Sequence, residues 1–220
     1  MKFPFDKIYC LHLAEREDRY KSLLNELSVV GLFDSTNIWW TCFRPFSEIV
    51  GNSITTLKTE YYHERSMEMD NVMAGVFNCA LEHYTIVKQS YLRGFDNILI
   101  MEDDIKFDVD KSVLEKAFSL MPNDYDLIRF WSTEYIAENL SAYNGEEDLY
   151  VKITDRGNIV SNSTLCYALS RKGMERYIKV MDDMFIPADV PFNYFNINKL
   201  NVYRLNYKVC EPNNLFKSDI

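Results

Sequence analysis

The sequence predicts an α/β fold in which helices flank a mixed, mostly parallel central sheet. Short apolar runs typical of buried strands alternate with amphipathic helical stretches through the first 130 residues. That alternation is typical of a sheet with crossover helices. The second half carries more strand and less helix, which favours a mixed sheet. Hydrophobic residues make up 47% of the 220-residue chain, enough for the core of one large domain, which we expect over residues 1–220.

The first predicted strand, Lys7–Leu13, is followed by a charged turn and then by apolar residues at helical spacing from Tyr20 onward. Asp18 is the expected N-cap of that helix, because its side chain can accept a hydrogen bond from the first turn. A second strand is predicted at Ile38–Phe43. The polar segment Arg44–Asp70 has no clear period and predicts an irregular loop.

A long amphipathic helix is predicted from Val72 to about Gly94, because glycine commonly follows a helix C-terminus. Asn97–Met101 is a continuous apolar run, which is typical of a central strand buried on both faces. The remaining predicted elements are helices at Val113–Leu120 and Met174–Met181, and strands at Tyr125–Trp131, Leu149–Thr154, Thr164–Leu169 and Val202–Val209.

Acidic residues outnumber basic ones, with 33 Asp and Glu against 24 Lys and Arg and a formal charge of −9. This balance argues against a nucleic-acid-binding protein, which needs Lys and Arg to neutralise phosphates. No N-terminal segment resembles a signal peptide. Nowhere do about 18 apolar residues run without a charge, which is the length that a membrane span needs. We therefore expect a cytoplasmic protein whose contact with a membrane, if any, is peripheral.

The chain contains five cysteines, namely Cys10, Cys42, Cys79, Cys166 and Cys210. They are widely spaced, odd in number and mostly set in apolar runs, which indicates buried reduced thiols. Because no Cys-x-x-Cys pair is present, a zinc site is not expected.

An acidic cluster follows the apolar strand Asn97–Met101 directly. In an extended segment Glu102 and Asp104 project to one side and Asp103 to the other. Ligands of open α/β sheets bind beyond the carboxyl ends of strands, and hard oxygen donors suit Mg²⁺ or Mn²⁺. The alternative is a solvated strand end or a capped turn. Glu102–Asp110 holds five acids and one lysine, a density of like charge that favours a bound cation.

Five segments of the chain, in order, resemble glycosyltransferase family 25, which includes the lipopolysaccharide and collagen galactosyltransferases. They are Leu13–Arg19, Gly75–His83, Ile98–Asp104, Ser163–Gly173 and Pro187–Asp189. Together they extend over most of the chain. Two positions depart from the family pattern: Glu82 stands where serine is common, and Cys166 stands where alanine is usual.

The resemblance implies a GT-A type, Rossmann-like fold and a metal-dependent, inverting glycosyltransferase that uses Mn²⁺ or Mg²⁺. It implies transfer of galactose or glucose from a UDP-sugar, a nucleotide-sugar donor, to a saccharide or glycolipid acceptor in surface polysaccharide or lipopolysaccharide biosynthesis. On this view residues 1–130, approximately, bind the donor and residues 131–220 face the acceptor. Trp131, at the C-terminal end of the predicted strand Tyr125–Trp131, is the aromatic candidate for acceptor contact.

Among the acidic residues, Asp104 is the predicted principal metal ligand. Glu102 is expected at the ribose or at the metal, directly or through a metal-bound water. Asp103 is a donor-site candidate, although its opposite projection also permits a structural bond to a neighbouring loop. Arg16 and Arg19 follow the first strand beside a helix N-terminus, where phosphate is favoured. They also fit an ordinary solvated turn.

His83 is either a pocket residue, as the resemblance implies, or a buried hydrogen-bonded histidine of the helix core. Asp189 lies in a turn held by Pro187 and Pro191, whose fixed φ restricts the backbone. It is the candidate catalytic base for the acceptor hydroxyl, and it also fits the N-cap of a helix over Val190–Phe195. Two further functions remain open: a non-catalytic relative that binds nucleotide-sugar or glycan, and a Mg²⁺-dependent phosphohydrolase.

Overall fold

The computed structural model describes residues 3–42, 70–131, 149–153, 163–197 and 199–216, with the backbone alone at 70–74 and 196–197. Within these residues the helices are α1 (Glu17–Val29), α2 (Asp70–Leu92), α3 (Lys111–Ser119), α4 (Arg171–Met184) and α5 (Asn193–Ile197). The strands are β1 (Lys7–Leu13), β2 (Thr36–Thr41), β3 (Asn97–Glu102), β4 (Ile105–Phe107), β5 (Leu127–Arg129), β6 (Tyr150–Lys152), β7 (Cys166–Ser170), β8 (Val202–Leu205) and β9 (Cys210–Pro212). Short 3-10 turns cover Phe33–Ser35 and Val190–Phe192.

Seven of the described strands form one sheet in the order β2-β1-β3-β7-β5-β8-β6. Strands β1, β2, β3, β5 and β8 run in one direction, whereas β6 and β7 run against them. The predicted α/β class with a mixed, mostly parallel sheet is therefore confirmed. Strand β7 lies between β3 and β5 and pairs with both in antiparallel orientation.

Helices cover both faces of this sheet, and the alternation of side chains along β1 shows how. Ile8 and Cys10 pack into a core layer with α1 and α3, whereas Tyr9 and Leu11 pack into a second layer with α2 and α4. Because successive side chains of a strand point to opposite faces, a continuously apolar strand contributes to both layers. This is why the run Asn97–Met101 correctly predicted a central strand.

Helix boundaries follow from local chemistry. The Asp110 side chain accepts a hydrogen bond from Val113 N at 3.0 Å at the start of α3, and Ser170 caps α4 at Gly173 N. Gly94, just past α2, has a φ of +81°, a conformation that glycine adopts without steric cost. The prediction for Asp18 was wrong: α1 begins at Glu17 with Arg16 as its N-cap, and Asp18 lies inside the first turn.

A second, two-stranded sheet pairs β4 with β9 in antiparallel register. The sequence did not predict either strand, because three-residue strands show no legible period. Its position matters, since β4 follows the acidic turn directly and ties it to the C-terminal part of the chain. The predicted loop Arg44–Asp70 lies outside the described residues, except that Asp70 begins α2. No described helix is both long and apolar enough to cross a membrane.

Candidate functional site

A cleft opens where the parallel strands β1 and β3 end side by side, with Leu11 paired to Glu102 in register. The cavity measures about 140 Å³. Its lining comes from β1, the first turn of α1, the ends of β2 and β3 with the residues that follow them, and one face of α2. It includes His12, Arg19, Cys42, Cys79, Glu82, His83, Glu102, Asp103 and Asp104. Four carboxylates and one arginine therefore face a single cleft, as expected beyond the carboxyl ends of parallel strands.

Asp103 is buried in the turn after β3 and bonds this turn to the end of β1 and to the first turn of α1. Its Oδ2 accepts hydrogen bonds from His12 Nδ1 at 2.8 Å and from the Leu13 backbone N–H at 3.2 Å. Its Oδ1 accepts a hydrogen bond from Arg19 Nη1 at 2.8 Å. The structural bond that the sequence left open for Asp103 is therefore present, and both carboxylate oxygens already have protein partners.

Asp104 lies in the same turn in a different environment. Its Oδ1 is buried and has no hydrogen-bond partner among the described residues, while its Oδ2 lies 3.6 Å from Arg19 Nη1. Burial, and next the negative charge of Glu102, raise the pKa of Asp104 to about 7. An orphaned carboxylate oxygen of this kind is unfavourable unless a proton or a cation meets it.

Glu102 occupies the end of β3 opposite Thr164, and its Oε1 accepts a hydrogen bond from the Thr164 hydroxyl. The same oxygen lies 3.4 Å from His83 Nε2. Burial opposes ionisation of Glu102, but the interactions with His83, Thr164 and Arg19 together outweigh it, so the pKa of Glu102 falls below its usual value. Glu102 and Asp104 therefore have pKa values pushed apart by their surroundings, as in many acid–base sites.

His83 is fully buried on α2, and its Nδ1 is hydrogen-bonded to the Tyr167 hydroxyl at 2.8 Å. Both alternatives for this residue hold in part, because it is a buried histidine that also lines the cleft. Its neighbour Glu82 accepts a hydrogen bond from Trp39 Nε1 at 2.8 Å. The departure from the family pattern at position 82 thus links α2 to β2 at the edge of the cleft.

The two predicted phosphate-binding arginines are placed differently. Arg19 lies in the cleft and is largely buried against Asp103, whereas Arg16 is absent from the described lining and pairs with Asp18 through bonds of 2.9 and 3.0 Å. The Arg16 bonds lower the pKa of Asp18 to about 2. The ring of Phe216 lies about 6 Å from both guanidinium groups.

Asp189 occupies the N-cap position of the short turn Val190–Phe192, but its side chain makes no capping hydrogen bond. Burial raises the pKa of Asp189, while the positive charge of Arg129 opposes the shift and Glu102 adds to it. Asp189 is thus electrostatically coupled to the cleft, although it is not among the described lining residues. A capping position without a capping bond leaves its carboxylate available for another partner.

The charge of Glu102–Asp110 is compensated largely by the protein itself. Lys106 and Lys208 both pair with Asp108, at 3.2 and 2.9 Å, and Asp110 caps α3. The expectation that the whole run favours a bound cation was therefore too broad. After these pairings, and the bonds of Asp103 and Glu102, Asp104 is the one acid of the run that faces the cleft with a carboxylate oxygen lacking a hydrogen-bond partner among the described residues.

Three site residues were missed from the sequence, namely His12, Cys79 and Thr164. Two of them had a signal in the sequence, because His12 interrupts an apolar strand and Cys79 precedes His83 by one helical turn. Thr164 had no such signal, since it lies beside Glu102 only because β7, which begins two residues later, pairs with β3. The prediction for the thiols was partly wrong. Cys10, Cys166 and Cys210 are buried, but Cys79 is partly exposed and Cys42 is exposed.

The described residues form an α/β fold with an acidic cleft at the ends of adjacent parallel strands. No protein-family model matches the chain. The chain is 26% identical over 184 residues to the inactive glycosyltransferase 25 family member 3 of Homo sapiens, covering 80% of this chain and 29% of that protein. It is 25% identical over 208 residues to a glycosyltransferase 25 family member of Drosophila pseudoobscura pseudoobscura, covering 85% of this chain and 30% of that protein.

These two relatives confirm the resemblance to glycosyltransferase family 25, and the chain spans about three tenths of the length of each. Among solved structures, A197 from STIV matches with a TM-score of 0.42, at 11% identity, over 90% of this chain and 80% of that one. The apo-form glycosyltransferase GlyE of Streptococcus pneumoniae matches with a TM-score of 0.41, at 9% identity, over 89% of this chain and 44% of that one. Neither structural likeness is strong enough to bear on function.

Proposed function

We propose that the protein is a metal-dependent glycosyltransferase that moves galactose or glucose from a UDP-sugar to a saccharide or glycolipid acceptor, as in surface polysaccharide or lipopolysaccharide synthesis. The observation that carries the proposal is the position of Glu102 and Asp104. Both face one cleft at the carboxyl ends of β1 and β3, and Asp104 Oδ1 lacks a hydrogen-bond partner among the described residues. Similarity to family 25 members supports the reaction class.

The residues fit a hard divalent cation. Carboxylate oxygens are the ligands that Mn²⁺ and Mg²⁺ prefer, and a buried, unpartnered oxygen of Asp104 is a group that a cation would satisfy. Asp104 and Glu102 would hold the ion. When bound, such an ion stabilises the charge of a departing diphosphate, an effect worth several kcal/mol in comparable reactions.

The remaining cleft residues fit a nucleotide diphosphate. Arg19 places a guanidinium between Asp103 and Asp104, so it brings positive charge to the acidic turn while its own position is fixed by the bond to Asp103. A guanidinium is a donor well suited to phosphate oxygens. Asp103 then acts through Arg19 rather than by direct contact, which refines the donor-binding role expected for it.

Asp189 is proposed as the base that takes the proton of the acceptor hydroxyl. Its raised pKa makes the carboxylate a stronger base than an exposed aspartate, and its side chain is not used as a helix cap. A positioned base contributes typically about 10²–10⁴-fold to the rate. The proton would pass from the acceptor oxygen to an Asp189 carboxylate oxygen as the new glycosidic bond forms.

A second candidate is a protein that binds nucleotide-sugar without turnover. The specific observation in its favour is that the human relative is named an inactive member of its family. This candidate keeps the donor cleft and the cation, and differs only in the fate of the bound donor.

The test is release of UDP from UDP-galactose or UDP-glucose in the presence of Mn²⁺, with several saccharide acceptors. The proposal expects release by the wild type and its loss in Asp104→Ala. Asp108→Ala is the matched control, because Asp108 belongs to the same acidic run but pairs with Lys106 and Lys208 outside the cleft lining. Release should survive in that control.

Other results identify the alternatives. Metal-dependent binding of UDP without release, with every acceptor tried, would support the non-catalytic candidate. Inorganic phosphate from simple phosphoesters would support a phosphohydrolase. Release of UDP that is equal in wild type and Asp104→Ala would overturn the role of the acidic turn.

A further inference from the structure

One cluster in the cleft has a different chemistry from the acidic turn. Cys79 and His83 lie four residues apart on α2, so their side chains share one face of the helix. Glu102, at the end of β3, meets that face from the sheet. Thiol, imidazole and carboxylate each offer one ligand atom, and these atoms all lie within 4.8 Å of one another.

The state of His83 is a second, independent indication of a ligand. His83 is fully buried, and its Nε2 has no well-formed hydrogen bond among the described residues. Its other nitrogen, Nδ1, is hydrogen-bonded to Tyr167 Oη at 2.8 Å. Metal-binding histidines are held in this way, with one nitrogen bonded to a protein group and the other directed at the ion.

Nε2 and Glu102 Oε1 are 3.4 Å apart. In the tautomer with the proton on Nδ1, both of these atoms present lone pairs, and a cation between them would satisfy both. The Cys79 sulfur completes a set of three ligands on the same side. All three residues line the cleft, so an ion and a water molecule can enter from solvent.

We propose that Cys79, His83 and Glu102 form a binding site for a borderline-soft divalent cation such as Zn²⁺, which shares Glu102 with the Mn²⁺ or Mg²⁺ site proposed above. Sulfur and imidazole ligands favour Zn²⁺ or Co²⁺ over Mn²⁺ and Mg²⁺, and three protein ligands leave a fourth position for water. When the ion binds, the Cys79 thiol releases its proton to solvent and its sulfur bonds the metal. The absence of a Cys-x-x-Cys pair did not exclude such a site, because its ligands come from a helix and a strand that are distant in sequence.

Spectroscopy with Co²⁺ tests the site without reference to glycosyl transfer. Protein stripped of metal is titrated with Co²⁺, and a thiolate-to-cobalt charge-transfer band is expected in the near ultraviolet, displaced by Zn²⁺. Cys79→Ser should abolish the band, and His83→Gln should weaken Co²⁺ binding at least tenfold. Thermal unfolding of each variant without metal verifies that it is folded, and the two variants provide independent checks.

Two variants serve as matched controls. Cys42→Ser removes the other thiol that lines the cleft, and Asp104→Asn removes the proposed Mn²⁺ ligand. Both should keep the charge-transfer band, so a failed glycosyltransferase assay and a failed zinc site remain distinguishable. No band in the wild type, a band that persists in Cys79→Ser, or one lost in Cys42→Ser would each overturn the assignment.

Discussion

Arg19 Nη1 donates a hydrogen bond to Asp103 Oδ1 at 2.8 Å and thereby connects the first turn of α1 to the turn after β3 across 84 positions of sequence. Both side chains are nearly inaccessible to solvent, at 7% and 6% exposure. The pair fixes the floor of the cleft, because His12 and the Leu13 backbone bond the same carboxylate from β1. Positioning of the cleft therefore depends on a buried ion pair.

Asp103→Asn should destabilise the protein strongly. The substitution removes the carboxylate that the buried Arg19 guanidinium contacts at 2.8 Å and leaves the Asp104 carboxylate at 3.6 Å. Breaking a buried pair costs about 3–5 kcal/mol, which is the upper limit expected here. Urea denaturation measures the change in the free energy of unfolding. Asp18→Asn is the control, because Asp18 pairs with Arg16 at the surface, where such pairs contribute little. Equal effects of the two substitutions would contradict the role given to Asp103.

Asp104→Asn should have an effect on stability that depends on pH. The pKa of Asp104 in the folded protein is about 7, above the usual 3.8, so the folded state binds this proton more tightly than the unfolded state. This tighter proton binding adds to the free energy of unfolding, fully so below pH 3.8, and the added stability is lost as the pH rises through about 7. The loss is about 4 kcal/mol at most.

In metal-free buffer, the change in the free energy of unfolding caused by Asp104→Asn should therefore be more stabilising at pH 8 than at pH 5. At pH 8 the substitution removes a buried negative charge, whereas at pH 5 Asp104 is already protonated in the folded protein. Asp110→Asn is the control. The pKa of Asp110 is lowered by its bonds to Ser112 and Val113, so it is ionised at both pH values. A stability change for Asp104→Asn that is the same at pH 5 and pH 8 would count against the raised pKa.

Asp189→Asn should lower turnover at least a hundredfold while the Mn²⁺-dependent affinity for UDP hardly changes. The amide keeps the shape of the side chain but cannot accept the acceptor proton. UDP release and UDP binding are measured on the same preparation. Asp183→Asn, an exposed position near the end of α4, should match the wild type in both. Normal turnover in Asp189→Asn would remove the base assignment.

Gly173→Ala should destabilise the protein without any direct effect on the cleft. A Cβ atom at this position would lie 2.0 Å from the Asp126 carbonyl oxygen, so α4 would have to move away from the sheet. Overpacking of this kind lowers the free energy of unfolding by about 1–3 kcal/mol, and occasionally by more. Glu175→Ala, exposed on the same helix, should change stability by about 0.5 kcal/mol or less. Thermal unfolding compares the two variants, and similar melting temperatures would show that α4 can shift to accommodate the methyl group without loss of stability.

Much of the site was predictable because its residues follow directly from strand ends. The apolar run before Glu102 indicated a buried strand, and the polar residues after it and after β1 had to lie at one edge once the strands were parallel neighbours. The segment Ser163–Gly173 also has a physical explanation, since Ser170 caps α4 and Gly173 allows its close approach to Asp126.

The sequence alone determined the α/β class, the central strands and the acidic turn, because apolar period and strand-end chemistry are local properties. Only the tertiary structure decided which charges remain uncompensated. Lys208 and Arg19 come from distant elements to pair with Asp108 and Asp103, and His12 hydrogen-bonds Asp103. The segment that leads into β7 brings Thr164 to Glu102. Likewise α2 sets Cys79 and His83 against the end of β3. These pairings depend on strand order and helix placement, which no local pattern encodes.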